Sequence, residues 1–456
     1  MIHRHSIGYT GREIARSGSV LIGVLWCVVL LAVLVLGLLH TTRLDLISGR
    51  YQTDRIQARY LSLAGIEKAK ALLHQNILDR RRAGAPFSSE LLDAPAQFRD
   101  VSMGRGLFRV IRPPNDDESG EQIYGVTDEE SRLNINVADT TELTKIVGLT
   151  PDIAAAIVDW RDQDNTVTPG GAEADYYASL NPPYRPRNGP FPTVRELLMV
   201  RGIFPDQLLG QMEDSLESRS DEIGLAVSGA AKGTISSSEQ VREGGWARLL
   251  TAQSAIENVD AAGTARVNVQ SSDEAALTGI RGISTEIAKA IIAYRQQNPI
   301  RNLTDLLNVA APPPNGANPP PGNSNNGPKV VDERLFKEIA DHLTVEEQSE
   351  RNGVVNINTA PVDVLQCLPG MTRPLAQAIV AHRRANGFFV STADLLNVAG
   401  FNRDLLQGLL SRIDVRSDTF RIRSEGVVGK CRQTMEAVVR VRARTITTLE
   451  YREDDL

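Results

Sequence analysis

The chain has 456 residues, 23% of them charged, with 56 acidic against 50 basic side chains for a formal net charge of -6. Such a length can bury several cores, so about two to four domains are expected, and the acidic balance argues against a nucleic-acid binder, which normally presents a basic surface. Three cysteines do not make a disulfide framework. Cys27 lies in an apolar run, while Cys367 and Cys431 are far apart and either pair through the fold or stay as small buried thiols.

In chain order, the first predicted element is membrane-length. Val20 to Leu39 reads VLIGVLWCVVLLAVLVLGLL without a charge. At about 1.5 Å per residue this run crosses a hydrocarbon core of about 30 Å. Arg4, Arg12 and Arg16 precede it against one acid, Glu13. That excess keeps the N-terminus cytoplasmic and puts the bulk of the chain across the membrane. A cleaved secretory signal would have a shorter apolar region and a small-x-small site, which His40, Thr41 and Thr42 do not provide. Beyond the membrane the helix is expected to run to about Leu78. Leu44, Ile47, Tyr51, Ile56, Tyr60, Leu63, Ile66 and Leu73 recur at helical spacings, and Ala83-Gly84-Ala85-Pro86 is a stop.

Residues 84–130 follow with two expected strands, Gly106–Arg112 and Gln122–Val126, separated by a turn-rich stretch. Three copies of one segment come next. They read LNINVADTTELTKIVGLTPDIAAAIVDWR from Leu133, VNVQSSDEAALTGIRGISTEIAKAIIAYR from Val267 and VNINTAPVDVLQCLPGMTRPLAQAIVAHR from Val355. Repeats of this kind define a module. Each has a short helix, a glycine corner at Gly148, Gly282 or Gly370, and a second helix. An Asp/Glu-Leu-Leu phrase then supplies a further helix. The repeats are placed at 131–214, 266–345 and 346–416.

The first copy carries an extra loop, DQDNTVTPGGAEADYYASLNPPYRPRNGP, after Arg161. Asp162, Asp164, Glu173 and Asp175 gathered by such a loop would repel one another unless a cation offset them. Oxygen donors suit calcium, although the calcium-hand spacing is not matched. The Pro- and Gly-rich stretch to Pro190 has little apolar content to order it otherwise, and the alternative is a solvated acidic loop. Residues 215–265 are expected to be extended, Trp246 to Thr251 most clearly, and the Pro/Asn/Gly-rich stretch 310–328 to be a disordered spacer. At the C-terminus, 417–456, Thr419–Ser424 and Met435–Arg444 alternate as strands with Gly426 and Gly429 between them, and Thr445–Tyr451 continues or adds a strand. Strands on both sides of a helical block suggest one sheet interrupted by an inserted domain. No GxxxxGK[ST], HExxH, CxxC or GxSxG stands in the chain, so no enzyme chemistry is expected.

The repeats resemble the helix-hairpin-helix family. DNA-binding members contact phosphate through a Gly-hydrophobic-Gly hairpin, and here the second glycine is Thr150, Ser284 or Thr372. That departure favours a packing module over nucleic-acid binding. Arg16-Ser17-Gly18 ahead of Ser19 resembles the leader of type IV prepilins and type II secretion pseudopilins. Position 23, where ordinary pilins carry the fifth-residue Glu, is Gly23. With the LNIN-type start and the WxDxD…GxExxYY insert, the chain resembles the general secretion pathway protein K family of minor pseudopilins.

That resemblance implies an α+β protein, with a long N-terminal helix on a small antiparallel sheet and an inserted domain of three helix-hairpin-helix-like repeats. It implies a leader, 1–18, cut between Gly18 and Ser19 by a prepilin peptidase, with Ser19 then methylated. It also implies an inner-membrane segment, 19–40, a soluble helix, 41–83, and a periplasmic head. The metal would be calcium in the acidic insert, and the partners other minor pseudopilins and secreted cargo. The site would be the pseudopilus tip, in support of protein export. The competing reading is a membrane-tethered DNA receptor of a competence system, which also joins an anchor to hairpin modules.

Overall fold

The computed structural model describes residues 14–115, 118, 122–210, 245–311 and 328–454. One helix, α1 (Ile14–Ala83), runs for 70 residues, about 105 Å at the standard rise. It ends where Gly84 turns with φ +62°. Its membrane-length stretch is wholly exposed, as is the continuation through Leu44, Ile47, Tyr51, Ile56 and Tyr60. The expected apolar stripe therefore divides. Only its distal part enters a core, with Ala58, Ser62, Ile66, Ala69, Leu73 and Ile77 buried at three- and four-residue spacings and Leu61 beside them.

That distal face lies on an antiparallel sheet of strands β1 (Val101–Met103), β2 (Gly106–Val110), β3 (Thr127–Asp128), β4 (Thr419–Val428), β5 (Cys431–Val441) and β6 (Ile446–Asp454). Their order is β1-β2-β4-β5-β6, with β3 beside the start of β4. Ile66, Ala69, Leu73 and Ile77 pack on Val110, Ile422, Met435, Ala437 and Val439. Two glycines allow the close approach. A Cβ at Gly65 would strike Ser424 Oγ and the Phe108 ring, and one at Gly426 would strike the Ala58 carbonyl. Gly426 is thus not part of the β4–β5 turn, as the sequence suggested. It sits inside β4 opposite Gln433, and Gly429 (φ +58°) makes the turn.

Two more expectations change here. Gln122–Val126 makes only an Ile123 bridge to Arg112, and the pairing strand is the next dipeptide, Thr127–Asp128. Tyr124 O and Val126 N instead bond Ala94 N (2.7 Å) and Leu91 O (3.0 Å), which commits that backbone to the 84–100 loop. Cys367 and Cys431 are both free thiols in separate cores, one among the repeats and one under the sheet. Residues 445–451 do supply a further strand, β6.

The repeats share one continuous apolar core. Each opens with a two-residue strand and closes with a return strand lying parallel to it. The pairs are Leu133–Asn134 with Leu250–Thr251, Val267–Asn268 with Leu343–Thr344, and Val355–Asn356 with Ile413–Asp414. The Asn-x-Asn start has a physical role. Its first Asn accepts the backbone N–H two residues on, at Asn136 (2.8 Å), Gln270 (2.8 Å) and Asn358 (2.9 Å). The second Asn ties the link after the second helix to the return strand. Asn136 Nδ2 donates to Phe191 O and Ala252 O, and Asn358 Nδ2 donates to Phe389 O and Val415 O. The closing arginine of the second helix clamps the same turn, Arg161 on Ala138 O (2.6 Å), Arg295 on Val269 O (2.8 Å) and Arg383 on Ala360 O (2.9 Å).

Because Leu250–Thr251 closes the first repeat, Trp246–Thr251 belongs to that repeat and not to a separate extended segment. Trp246–Arg248 is a 3-10 turn whose indole packs in the core and donates to Val147 O (3.1 Å). Of the 215–265 expectation, residues up to 244 lie outside the described residues, as does 312–327 of the spacer. The Asp/Glu-Leu-Leu phrases are 3-10 helices (Val194–Met199, Leu303–Asn308, Thr392–Asn397), followed by short α-helices in all three copies.

The block is inserted between β3 and β4, and a buried polar seam fixes it there. Asp128 accepts from Ser417 Oγ (2.6 Å), Thr359 Oγ1 (2.5 Å) and Asn356 Nδ2 (3.2 Å). Glu129 pairs with Arg421 (2.7 Å) and Arg132 (3.1 Å). Burial raises its carboxyl, but the two guanidinium groups more than offset this and hold it at about 2. Asp414, also fully buried, is likewise held well below the usual carboxylate range by Arg416, Arg266 and Arg351.

Candidate metal centre

The insert of the first repeat brings three carboxylates together. The second helix, Pro151–Arg161, is capped at its C-terminus by Asp162. Asp159 in its last turn, Asp162 and Glu173 each place one oxygen so that all three lie within 4.8 Å of one another. Asp159 is 0% and Glu173 3% exposed. Both Glu173 oxygens and Asp162 Oδ1 are buried without a hydrogen-bond partner. Buried anionic oxygens left unpaired are costly, so this set fits a cation closely. All donors are hard oxygens, the class that calcium takes.

Local backbone chemistry shapes the centre. Thr168 N donates to the Asp159 carboxylate (3.2 Å), folding the loop back over the helix end. Gly170 (φ +86°) and Gly171 follow, and a Cβ at Gly171 would strike Asp159 Oδ2. Burial, then Asp162, Asp159 and Asp164, pushes Glu173 up to about 7. Burial, then Asp164 and Asp159, also raises Asp162.

Of the four residues picked from sequence, Asp162 and Glu173 are brought together. Asp164 is exposed, accepts from Thr166 N (2.7 Å) and adds negative charge nearby. Asp175 is exposed on the short helix Ala174–Ala178 and lies outside the three-carboxylate group. Sequence reasoning missed Asp159. The signal was present, since the equivalent positions in the other repeats are Ala293 and Ala381. An acid in the last turn of a helix also opposes the helix dipole.

The insert is not short of apolar anchors, contrary to the sequence reading. Trp160 meets Tyr177 edge-on (centroids 5.0 Å), Tyr184 at 6.2 Å, and Phe191 in a stack at 6.4 Å. Its indole donates to Glu196 (3.0 Å), which also pairs with Arg187 (2.5 Å). Four aromatic rings thus pack together to anchor the insert beside the three carboxylates.

The other sequence-picked pair, Gly18 and Ser19, lies within the helical backbone of α1. The hairpins serve packing. Thr150 and Ser284 are helix N-caps, accepting from Ile153 N (3.4 Å) and Ile287 N (3.3 Å). Lys145, from the first repeat, donates to Leu368 O (2.8 Å) and Met371 O (3.4 Å) on either side of the third hairpin's glycine.

Comparison with known proteins bears chiefly on the repeat block. Residues 125–210 match the family model described as type II secretion system (T2SS), protein K. Residues 263–313 and 350–413 match the helix-hairpin-helix motif. ComE operon protein 1 of Bacillus subtilis (strain 168) is 33% identical over 73 residues, 16% of this chain and 36% of that protein, so the chain spans about a third of that relative. Among solved structures, the GspK-GspI-GspJ complex from the enterotoxigenic Escherichia coli type 2 secretion system contains a chain that aligns at 14% identity and TM-score 0.49, covering 90% of this chain and 100% of that one.

Proposed function

We propose that this chain, a protein-K-like minor pseudopilin of a type II secretion system, caps the tip of a pseudopilus and supports protein export across the outer membrane. The protein K match over 125–210 carries this reading, because it spans the first repeat and the acidic insert together. The α1 face that is exposed from Leu44 to Tyr60 is the surface on which helices of the other minor pseudopilins would pack. Gly23 supports the terminal place. A carboxylate buried in an apolar bundle needs a partner, and a subunit with no neighbour above it has none to neutralise. The repeat block adds bulk at the distal end of α1, where Arg81 pairs with Glu257. A head of that width would stop further subunits from stacking above it.

In this reading a prepilin peptidase cuts after Gly18, Ser19 is methylated, and the chain waits in the inner membrane with its head in the periplasm. Calcium, held by Asp159, Asp162 and Glu173 with backbone carbonyls and water, would fix the insert to the helix end. Cysteine cross-linking along assembled pseudopili tests the placement. Cross-links from this chain to other minor pseudopilins at one end are expected, and an even distribution along the fibre would overturn it.

The competence reading draws on the partial likeness to ComE operon protein 1. It is less supported, since the hairpins are used in packing and their second glycines are replaced by helix caps. Phosphate contacts make affinity fall steeply with salt. Submicromolar, salt-sensitive duplex binding by the chain would put that reading first.

A further inference from the structure

Where the repeat block leaves and rejoins the sheet, two acids lie side by side with no cation of their own. Asp128 ends β3, and Glu130 follows in the 3-10 turn Glu129–Ser131. They are 3% and 0% exposed. Asp128 Oδ1 accepts from Glu130 N (2.8 Å), and its Oδ2 takes the Ser417, Thr359 and Asn356 side chains. Glu130 Oε1 accepts from Ala255 N (3.2 Å) and Oε2 from Thr419 N (3.0 Å). The Glu130 carboxyl also lies within hydrogen-bonding reach of Asp128. The pair therefore joins the exit strand, the 255–257 strand, the start of the third repeat and the entry to β4.

The surrounding cations are engaged elsewhere. Arg132 of the turn and Arg421 of β4 both hold Glu129. On α1, Arg81 pairs with Glu257, as does Arg442 (3.9 Å), and Arg80 donates to Pro86 O. Ahead of β4, Arg416 pairs with Asp414 (3.4 Å), while Asp418 accepts from Glu257 N (2.8 Å). Arg440 of β5 reaches Thr419 Oγ1 (3.5 Å). In the cavity that Asp128 lines, Arg112 is held by Glu118. Arg248, Arg383 and Arg384 stand there with partners of their own, beside Glu90 and Asp93. Among the described residues no guanidinium pairs with Asp128 or Glu130. Two buried carboxylates in contact and without a counter-ion cannot both ionise cheaply, and such pairs hold one proton between them.

We propose that Asp128 and Glu130 share one proton and so form a pH-sensitive latch between the repeat block and the sheet, tightened by acid and loosened by alkali. Burial, then the charges of Asp128 and Asp418, push Glu130 well above the ordinary glutamate range. Burial raises Asp128 too. Glu129, one residue away, stays ionised through its two guanidinium partners, so a single turn carries one charged and one proton-holding acid. The sign follows from linkage. A carboxyl raised in the folded state keeps its proton below the raised value and gives it up above, so the latch weakens as pH rises.

The test is hydrogen exchange of the full chain in detergent, followed at the Ala255 and Thr419 amides that the Glu130 oxygens hold. Rates are corrected for the intrinsic effect of pH. From the ordinary glutamate range up to the raised value, protection should fall about tenfold per pH unit, the slope for one proton released on opening, and then level off. Amides in the second helix of the third repeat should not share that slope. Glu130→Gln has no proton to give up and should flatten it. Asp418→Asn keeps an acceptor for Glu257 N and removes a neighbouring charge, so the levelling point should move to lower pH. Flat protection in the native chain, a slope common to every amide, or the same slope in Glu130→Gln overturns the proposal. Should Glu130→Gln not fold, an unmoved levelling point in Asp418→Asn overturns it.

Discussion

The first and third repeats share one scaffold and put it to different ends. In both, the fourth residue of the repeat, Asn136 or Asn358, bonds the link after the second helix and the return strand, and an Arg closes the turn. In both, the aromatic of that link stacks on the last-turn ring of the second helix, Phe191 on Trp160 and Phe389 on His382. Yet the third repeat has Ala381 where the first has the fully buried Asp159, and the first has a long acidic loop above it. The difference teaches that the scaffold's stability is set by the shared clamps. The added chemistry sits where the scaffold has a free end, at the C-terminus of the second helix.

The clamps are the place to break that comparison most severely. Asn358→Ala would strand two carbonyls and the Phe389 N–H in a buried site. A loss of about 3 kcal/mol is expected in chemical denaturation, and Gln270→Ala, whose Oε1 accepts only from Ile300 N, should lose about 1 kcal/mol. Equal losses would mean the clamp is not what holds the repeats.

Added calcium should separate the two repeats next. At a hundredfold excess over its dissociation constant a cation adds about 2.7 kcal/mol, visible as a rise in Tm that chelation removes. Glu173→Gln should abolish the rise, while Asp175→Ala should leave it, because Asp175 lies outside the three-carboxylate group. An unmoved melt and no heat by calorimetry would leave the insert as an ordinary acidic loop.

Acid should act with opposite sign on Glu173 of the insert and on the ion-paired Glu129 of the seam. Glu129 is depressed to about 2, so its stabilisation is present above the ordinary range near 4.5 and is lost as pH falls toward 2. Glu173 is raised to about 7, so in calcium-free buffer its penalty is full above 7 and is relieved as pH falls toward 4.5. Protease protection of the insert should therefore rise between pH 7 and 4.5, before global stability, followed by circular dichroism, falls below that range. Parallel loss of both would contradict the assignment.

The smallest expected effect sharpens the comparison at the hairpins. Thr150 caps its helix through its hydroxyl and Thr372 does not. Thr150→Ala should cost about 0.5–1 kcal/mol and Thr372→Ala close to nothing.

Much of this was legible in the sequence because it was repeated or periodic. Three copies aligned themselves, the apolar run and its stop fixed α1, and alternation marked β4 and β5. What escaped had non-local causes. The strand at Thr127–Asp128 is set by pairing with Phe420 and Arg421 far along the chain. Gly426 reads as a turn until α1 is seen lying against it. Leu250–Thr251 reads as extended, but its place as the return strand of the first repeat is set by its parallel partner Leu133–Asn134 far back in the chain. At the candidate metal centre two of the four chosen carboxylates meet. The third carboxylate was hidden because Asp159 looks like one more residue of a helix.

The insertion between β3 and β4 has a topological consequence. Asp128 faces Phe420 and Thr127 faces Arg421 in one antiparallel ladder, so the chain leaves the sheet and returns to it at adjacent points. To the sheet, the whole repeat block is the loop of a single hairpin. The closure cost of such a loop grows only logarithmically with its length, by roughly 0.6 kcal/mol per doubling. A block gated this way can lengthen, shed or exchange repeats with little demand on the sheet beneath it. The constraint falls instead on the few side chains at the gate, Asp128, Glu129 and Arg421, which any replacement cassette would have to meet.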